Sequence, residues 1–275
     1  MKTLVIDPGY SSVKHVLIEG KKIRRTGREP TLVAEIPDWS LQVDFGMETE
    51  GDGIPWKGKR YLVGPPSIGG LEIPVTNPET LYGLALPLYL LKLGVTEGDR
   101  VVVLMSFADW ERKEKVEELV KSFEAEPAVV PQGVGIWIEA GRPTDCAVVD
   151  VGFDTVDVLA FADGRPQKSL SFAAHGTGVV SFLTQLRKDD PKRLAEKLES
   201  GDEPLKSALR EKYWSWLDRR LEAFPAWKVM RERRLIFGGG GARFVPKETG
   251  AVVKEPELAN VKGMAKELLK GVRHG

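Results

Sequence analysis

The sequence predicts an α/β protein of two lobes, each built on a mixed sheet with helices on its faces. An apolar strand, an Asp-x-Gly turn and a returning strand occur twice, within residues 3–19 and 146–162. A β-branched run at residues 100–105 is typical of a strand that is buried on both faces. Helical segments alternate with these strands, as they do in α/β sheets. The chain has 275 residues, which suffices for two such lobes.

The first half opens with strands at residues 3–8, 13–19 and 22–26, joined by a turn and a hairpin. Residues 27–76 are rich in Gly, Pro and Trp and lack a helical period, so they predict an irregular segment with short strands, one at residues 60–64. The elements that follow are a helix from its N-cap Asn77 to about Leu93, a strand at residues 100–105, a helix over residues 110–124 capped by Asp109, and a strand at residues 128–131.

The second half repeats this order. Strands are predicted at residues 146–150 and 155–162 with a hairpin at Gly164, then helices at about 176–187, 191–199 and 204–222, a strand at residues 234–237 and a closing helix over residues 260–270. Both halves start with strand, Asp-x-Gly turn, strand, hairpin and strand and continue into helices. This shared order indicates a weak internal repeat.

Charge and hydropathy exclude two classes of partner. Lys plus Arg and Asp plus Glu balance at 40 each, so no net field draws the protein to nucleic acid or to an anionic membrane. The richest apolar run, residues 81–93, is interrupted by Pro87 and is shorter than the roughly 20 residues of a membrane span. Met1 and Lys2 lead directly into a strand, so we expect no signal peptide and a soluble, cytoplasmic protein.

The scarce residue types exclude several kinds of site. Cys146 is the single cysteine and sits in an apolar run, which excludes an intramolecular disulfide and a thiolate metal cluster. The three histidines are too few and too scattered for a histidine-based metal site. Few Asn and Cys residues beside many Glu, Lys and Arg suggest a thermophilic source.

Residues 4–14 form the first candidate ligand-binding motif. An apolar strand leads to Asp7, and the glycine that follows permits a tight turn whose backbone N–H groups can face an anion. The turn and the returning strand contribute Gly9, Tyr10, Ser11, Ser12 and Lys14. The serines add hydroxyl donors, and the lysine can place a cation near a terminal phosphate. Taken alone, this motif is equally consistent with an ordinary hairpin.

Residues 147–158 repeat the device. Asp150 ends the strand, and the turn comprises Gly152, Phe153, Asp154 and Thr155. Two aspartates on facing hairpins can hold a hydrated Mg²⁺ between them while the turns clasp a triphosphate from both sides. Asp157 on the returning strand is expected to orient the hairpin. A β-turn is again the alternative, but two matched copies make coincidence a weaker explanation.

A third motif lies in residues 233–244. A strand runs into four glycines, Gly238, Gly239, Gly240 and Gly241. Glycines at the end of a strand let the backbone approach a flat ligand closely, and a following helix would offer its N-terminal N–H groups. The dinucleotide fingerprint and the P-loop pattern are both absent. A flexible loop is the alternative explanation of four glycines alone.

Together the three motifs resemble the phosphate-1, phosphate-2 and adenosine motifs of the actin, sugar-kinase and heat-shock-chaperone superfamily. They occur in that order and span nearly the whole chain. The closing residues 256–269 resemble the end of ParM-like plasmid-segregation actins and archaeal actins, where an Asn-x-x-Gly-led helix returns to the first lobe. The resemblance implies ATP or ADP and Mg²⁺ in a cleft between two actin-like, ribonuclease H-like lobes, with Asp7 and Asp150 at the metal.

The same resemblance implies boundaries for the lobes. The first lobe covers residues 1–143, the second covers residues 144–258, and residues 259–275 form the helix that returns to the first lobe. The chain is shorter than most actins, so we expect a reduced outer subdomain near residues 27–76. Filament-forming actins use that region for longitudinal contacts, so its shortening bears on polymerisation more than on nucleotide binding.

In this superfamily a Gln or Glu at a strand end, just before the second phosphate motif, positions the attacking water. Gln132 matches that placement and is predicted, with Asp150, to be catalytic. A neutral glutamine would orient water through hydrogen bonds rather than act as a strong base. The alternative is that it merely ends a strand. His175, in a turn that resembles the helix-opening turn of the family, lies either near the γ-phosphate or at the surface.

An aromatic-rich stretch runs from Tyr213 to Trp227. Trp214 and Leu217 share a helical face and are predicted to pack in the second lobe. Trp216 is predicted to point elsewhere, as a candidate partner contact.

The leading functional hypothesis is a slow actin-like ATPase that self-associates into filaments, with an adaptor protein as a further partner, for plasmid or chromosome segregation. A small-molecule kinase of the same superfamily is the alternative. It would need an aspartate general base, and no acidic residue stands in a clear substrate motif. A third hypothesis is a regulator that does not polymerise, in which ATP switches a surface for a partner.

Overall fold

The computed structural model describes residues 1–37, 53–64 and 71–271. The chain divides into two compact units. One comprises Met1–Val103 and Arg112–Val129, and the other comprises Leu104–Glu111 and Val130–Gly275. Residues 38–52 and 65–70 of the predicted irregular segment lie outside the described residues, as do the last four residues of the chain. No helix of the described part is both long enough and apolar enough to span a membrane.

Among the described residues the strands are β1 (Lys2–Pro8), β2 (Ser12–Glu19), β3 (Lys22–Pro30), β4 (Val33–Ile36), β5 (Ile54–Trp56), β6 (Lys59–Val63), β7 (Leu71–Ile73), β8 (Arg100–Met105), β9 (Glu126–Pro131), β10 (Cys146–Val151), β11 (Thr155–Ala162), β12 (Arg165–Pro166), β13 (Phe172–His175), β14 (Leu235–Gly238) and β15 (Ala251–Val252).

The α-helices are α1 (Pro78–Thr80), α2 (Leu86–Lys92), α3 (Lys113–Lys121), α4 (Val134–Glu139), α5 (Val179–Arg187), α6 (Pro191–Glu199), α7 (Glu203–Ala208), α8 (Trp214–Leu221), α9 (Pro225–Met230) and α10 (Ala259–Gly271). Two π-helical turns, Leu81–Ala85 and Leu209–Tyr213, join α1 to α2 and α7 to α8. Short 3₁₀ turns are found at Phe107–Arg112, Lys168–Leu170, Ala242–Phe244 and Pro256–Leu258.

Two of the sheets share one strand order. The first runs β3-β2-β1-β8-β9 and the second runs β12-β11-β10-β14-β15. In each, the central strand pairs antiparallel with the strand that follows it and parallel with a later strand. The internal repeat predicted from the order of elements therefore extends to the topology of the mixed sheets. The second sheet adds β13, which pairs with β11.

The central strand of the second sheet explains why its sequence is apolar throughout. All six residues of β10 are buried. Ala147, Val149 and Val151 belong to a core with the segments α5 to α9, whereas Cys146 and Val148 belong to a second core that includes Ile136 of α4 and Ala259 of α10. Side chains alternate between the faces of a strand, so helices on both faces require an unbroken apolar run.

The segment predicted to be irregular contains more order than expected. Its described part contributes β4, β5, β6 and β7, which form a four-stranded sheet in the order β5-β6-β4-β7. The strand predicted at residues 60–64 is present as β6. Strands of three to five residues are too short to show a clear alternation, so the sequence pattern did not reveal the sheet.

The predicted start of the helix at residues 110–124 is wrong. Asp109 does not cap it, because it lies buried in the 3₁₀ turn Phe107–Arg112, and α3 begins at Lys113 without a side-chain cap. The helix predicted at about 176–187 likewise begins later, at Val179, because Phe172–His175 forms β13. Within the described part of the second half and its approach, α4, β13, α9 and β15 were not predicted.

The aromatic stretch packs into the second unit as predicted, and Trp216, as predicted, points away from Trp214, although it too packs on the core. Trp214 contacts Phe237 edge-on, with ring centroids 5.4 Å apart. Trp216 is half-buried, and its ring lies 5.3 Å from that of Phe182, on the same core. Trp214 and Trp216 are two positions apart in α8, so their side chains leave the helix on different sides, and both pack against the same core.

Candidate functional site

The first hairpin places a carboxylate and a cation side by side. Asp7 is buried and is the cross-strand partner of Lys14, whose Nζ lies 3.6 Å from Asp7 Oδ2. The turn between them is closed by a hydrogen bond from Gly9 N to Ser12 O of 3.2 Å. A Cβ at Gly9 would lie 3.1 Å from the Ser12 carbonyl oxygen, so the turn is tight enough to favour glycine.

Thr31 supports this turn from behind. Its Oγ1 donates to the Gly9 carbonyl oxygen at 2.5 Å, and its N–H donates to the Ser11 carbonyl oxygen at 3.0 Å. The C=O and N–H of a trans peptide point in opposite directions. The N–H of Tyr10 therefore points away from Thr31, as it must in order to face an anion.

The second hairpin also has a tight turn with outward N–H groups, but here the start of α5 binds the turn carbonyl oxygens. Gly152 N donates to Thr155 O at 2.9 Å and closes the turn. The carbonyl oxygens of Gly152, Phe153 and Asp154 accept hydrogen bonds of 2.9–3.2 Å from N–H groups at the start of α5. The N–H groups of Phe153 and Asp154 therefore point away from α5. The first N–H groups of α5 are used in hydrogen bonds to the turn, so the N–H groups that remain for a ligand are those of the turn itself.

Asp150 is held by a residue that the sequence analysis did not assign to the site. Asn260, near the start of α10, donates from Nδ2 to Asp150 Oδ2 at 2.6 Å, and its Oδ1 accepts from the N–H of Gly133 at 2.8 Å. All three residues are buried. The Asn-x-x-Gly pattern at residues 260–263 is the sequence signal for this residue. By itself it indicated only a likeness to the closing helix of other actins and gave Asn260 no place in the site.

Asp157 lies next to Asp150 on the neighbouring strand and is fully buried. It accepts hydrogen bonds from Ser106 Oγ at 2.9 Å and from the N–H of Phe107 at 2.7 Å. Burial, and secondly the Asp150 carboxylate, raise the pKa of Asp157 to about 8. These hydrogen bonds hold the chain that follows β8 in its 3₁₀ turn. The predicted role of Asp157 in orienting the second hairpin stays a prediction.

This pKa predicts how the stability of the nucleotide-free protein depends on pH. The Asp157 carboxyl ionises near pH 4 in the unfolded chain, but in the folded chain it keeps its proton up to about pH 8. The raised pKa of Asp157 therefore adds to the free energy of unfolding; this contribution is fully present below about pH 4 and is lost as pH rises to about 8. Urea unfolding should show that the free energy of unfolding falls more between pH 5 and pH 8.5 in the unaltered protein than in Asp157→Asn. Equal losses in the two proteins would contradict the raised pKa.

The four glycines differ in what they contact. A Cβ at Gly238 would overlap Ile136, and one at Gly239 would overlap Asp150 Oδ1 and the Val151 carbonyl oxygen. At Gly241 a Cβ would overlap the side chain of Val151. Three of the glycines are therefore required by packing around the end of β10. The helix expected after them is only a 3₁₀ turn, Ala242–Phe244.

Gly240 is the exception, because it is exposed and a Cβ there would have nothing within 4 Å. If a nucleotide packs on this loop, Gly240→Leu should weaken ADP binding about tenfold without lowering the melting temperature of the ligand-free protein, because the new side chain would occupy only ligand space. Calorimetric titration with ADP and a thermal melt measure the two quantities. Unchanged ADP affinity would show that the adenine ring does not pack on this loop.

Gln132 directly follows β9 and is partly exposed. Its N–H donates to the Met105 carbonyl oxygen at 2.9 Å, and it directly precedes Gly133, which Asn260 holds. His175 is exposed at the end of β13, opposite Thr155. The catalytic role of Gln132 stays a prediction.

Within each unit the predicted site residues lie together. Asp7, Gly9 and Lys14 share one hairpin of the first unit. In the second unit, Asp150 lies on the strand before the second hairpin turn, packs beside Gly239, and is linked through Asn260 to Gly133, the residue after Gln132. The joint metal site of Asp7 and Asp150 stays a prediction, as do the lobe boundaries. The closing helix α10 packs on α4, whose residues fall inside the stretch predicted as the first lobe.

The donor set fits Mg²⁺ and a polyphosphate. In the described residues no group of three or more His, Cys, Asp and Glu is arranged to hold a metal. Mg²⁺ typically takes one or two carboxylates together with water and phosphate oxygens. Each unit has one such carboxylate, Asp7 in the first and Asp150 in the second, and the outward N–H groups of its own hairpin turn suit phosphate oxygens.

The comparisons with known proteins agree on the fold. No protein-family model matches the chain, and no curated protein matches its sequence. Among solved structures, ParM of Bacillus thuringiensis with ATP is 15% identical, with 99% of each chain covered and a TM-score of 0.62. The filament structure of AlfA from B. subtilis plasmid pLS32 is 14% identical, covering 97% of this chain and 99% of that one, with a TM-score of 0.61. The archaeal actin homolog Ta0583 is 17% identical, with 98% and 100% covered and a TM-score of 0.59.

These likenesses confirm the predicted fold class. The chain has the actin-like α/β fold, with mixed sheets flanked by helices, and the likeness extends over essentially its whole length. At 13–17% identity the likeness establishes the fold alone.

Proposed function

We propose that this protein is an actin-like ATPase that binds ATP with Mg²⁺ and assembles into filaments while ATP is bound. The observation that carries the proposal is the duplicated phosphate turn. In each of the two matching sheets an aspartate near the end of the central strand precedes a tight glycine turn. The carbonyl oxygens of each turn accept hydrogen bonds from residues outside the turn. The outward N–H groups and the adjacent carboxylates suit a polyphosphate and its divalent cation.

Nucleotide binding is also supported by structures with the same fold. One similar structure is ParM with ATP, and another is an AlfA filament bound to AMPPNP. In this chain, Lys14 would supply a cation to the phosphates, and Asp7 and Asp150 would hold the hydrated metal. Bound Mg²⁺ would neutralise charge that develops on the phosphate oxygens during hydrolysis.

Gln132 is proposed to orient the attacking water. Its backbone is fixed at the end of β9 while its side chain is partly exposed, which suits a group that contacts water. Gln132→Ala should leave ADP affinity within about twofold and lower kcat for ATP hydrolysis at least tenfold, since a water-positioning residue acts in the transition state. Equilibrium titration and steady-state phosphate release measure these values. An unchanged kcat would reassign Gln132 to a structural role.

Filament formation is proposed from the fold and from the filament structures of AlfA and Alp12. Filament contacts that favour the ATP-bound state would couple assembly to nucleotide. Sedimentation with a non-hydrolysable ATP analogue and with ADP tests this directly. Pelleting with the analogue alone supports the proposal. Nucleotide binding without pelleting in either condition would overturn the filament part and leave nucleotide binding intact.

A role in plasmid or chromosome segregation, with an adaptor protein that links the filament to its cargo, is the biological setting we propose. It rests on the likeness to AlfA from a B. subtilis plasmid and to the psk41 ParM protein. Loss of a resident plasmid after disruption of the gene would support it, and stable inheritance would argue against it.

A further inference from the structure

We infer that Asn260 is a positioning residue that holds the Asp150 carboxylate and the Gln132–Gly133 turn in one arrangement, so that α10 is part of the nucleotide site. The inference rests on the proposed function, because it assigns to Asn260 a task in binding metal and orienting water. Asn260 is assigned to act through its hydrogen bonds to Asp150 and Gly133 rather than by direct contact with the nucleotide.

The geometry of the Asn260 side chain carries the inference. Nδ2 donates to Asp150 Oδ2 at 2.6 Å, and Oδ1 accepts from Gly133 N at 2.8 Å. The amide therefore bridges the end of β10 to the start of α4. Since all three residues are buried, water cannot easily replace either hydrogen bond.

The side chain of asparagine is suited to this position. It is short, and it offers a donor and an acceptor in a fixed planar geometry. Aspartate would retain the acceptor for Gly133 and lose the donor for Asp150. Leucine, which is of similar size, would lose both.

Two glycines place Asn260 within reach. A Cβ at Gly263 would overlap the Gly135 carbonyl oxygen, and a Cβ at Gly135 would overlap the Asn260 carbonyl oxygen. α10 and α4 thus cross at a distance that only glycine permits at both positions. Outside this crossing, Lys266 of α10 forms an ion pair with Glu139 of α4, and Glu267 of α10 forms one with Arg142, which follows α4.

The arrangement gives Asn260 two effects. Its donor fixes which way the Asp150 carboxylate is turned, and its acceptor fixes the peptide that follows Gln132. Partners of metal-binding carboxylates commonly change metal affinity or activity by about 10–100-fold when they are removed. The orientation of Asp150 and that of Gln132 should therefore change together when Asn260 is replaced.

The test compares Asn260→Leu, Asn260→Asp and the control Lys266→Ala with the unaltered protein. Lys266 lies on the same helix but in a surface ion pair. ADP affinity is measured with EDTA and with Mg²⁺, and exchange of the Gly133 amide is followed by NMR without nucleotide. We expect both Asn260 variants to bind ADP in EDTA within about threefold of the unaltered protein, and the gain that Mg²⁺ gives in affinity to fall about tenfold or more.

Amide exchange separates the two hydrogen bonds. Gly133 should exchange at least about tenfold faster in Asn260→Leu, whereas Asn260→Asp should keep its protection, because its carboxylate still accepts from the amide. Lys266→Ala should match the unaltered protein in every measurement. Should Asn260→Leu fail to fold, the Asp variant still tests the link to Asp150.

Two outcomes would overturn the inference alone: an unchanged Mg²⁺-dependent gain in both Asn260 variants, or unchanged Gly133 exchange in folded Asn260→Leu. A third outcome separates it from the proposed function. If the unaltered protein binds neither ADP nor ATP, the proposed function fails, and the Gly133 exchange then reports only on a structural hydrogen bond, which also overturns the positioning role.

Discussion

Replacing Asp150 with alanine is expected to abolish the rise in melting temperature that ATP and Mg²⁺ cause in the unaltered protein. A ligand at about 100 times its dissociation constant stabilises the folded state by about 2.7 kcal/mol, which corresponds to a rise of about 5–10 °C for a chain of this size. The substitution removes a proposed metal-binding carboxylate. It also leaves the Asn260 side-chain donor without its acceptor in a buried position.

The loss of that buried hydrogen bond will lower the stability of the ligand-free protein as well. The informative quantity is therefore the difference in melting temperature with and without nucleotide, measured by differential scanning fluorimetry. Asp145→Ala is the matched control, because Asp145 is an exposed carboxylate just before the same strand. It should keep the full nucleotide-dependent rise. A full rise in Asp150→Ala as well would show that the metal assignment is wrong.

Gly239→Ala is expected to destabilise the protein by about 3 kcal/mol. Gly239 has a φ of +81°, a conformation that costs an L-residue about 1–2 kcal/mol. The added Cβ would also overlap Asp150 Oδ1 and the Val151 carbonyl oxygen, and overpacking of this kind costs about 1–3 kcal/mol. Since Asp150 would have to move, nucleotide affinity should fall with stability.

Gly240→Ala provides the control for this prediction in the next residue. Gly240 is exposed, its φ is not positive, and no atom lies within 4 Å of its added Cβ. Its free energy of unfolding should stay within about 0.5 kcal/mol of the unaltered protein. Urea unfolding of both variants measures the difference. If the two alanines cost the same, close packing of the glycine loop against Asp150 is not the reason for Gly239.

The central strands of the two matching sheets, and the strands that return beside them, could be predicted from the sequence because their cause is local. A strand buried on both faces, such as β8 or β10, needs an unbroken apolar run, and a tight turn after it needs glycine. The same reasoning found the helix that begins at Asn77, where Asn77 and Thr80 form a reciprocal cap. The order of these elements was sufficient to predict the α/β class and the duplicated Asp-x-Gly hairpins.

The elements that were missed depend on residues far away in the chain. α4 has six residues and no polar side-chain cap, and it packs against α10 through glycines more than a hundred positions apart. Asp109 had the sequence features of an N-cap, but hydrogen bonds from Ser106 and Phe107 to Asp157 hold the preceding chain in a 3₁₀ turn. Local preference is a weak term that such tertiary contacts override.

For the candidate site the division has the same physical origin. Residue order alone indicated the phosphate turns and the two aspartates, because a turn and a strand end are properties of neighbouring residues. The partners of those residues follow from packing: Thr31 behind one turn, the start of α5 behind the other, and Asn260 on Asp150. A buried hydrogen bond forms only where folding removes water and brings its donor and acceptor together, and the sequence of one segment does not specify the distant partner.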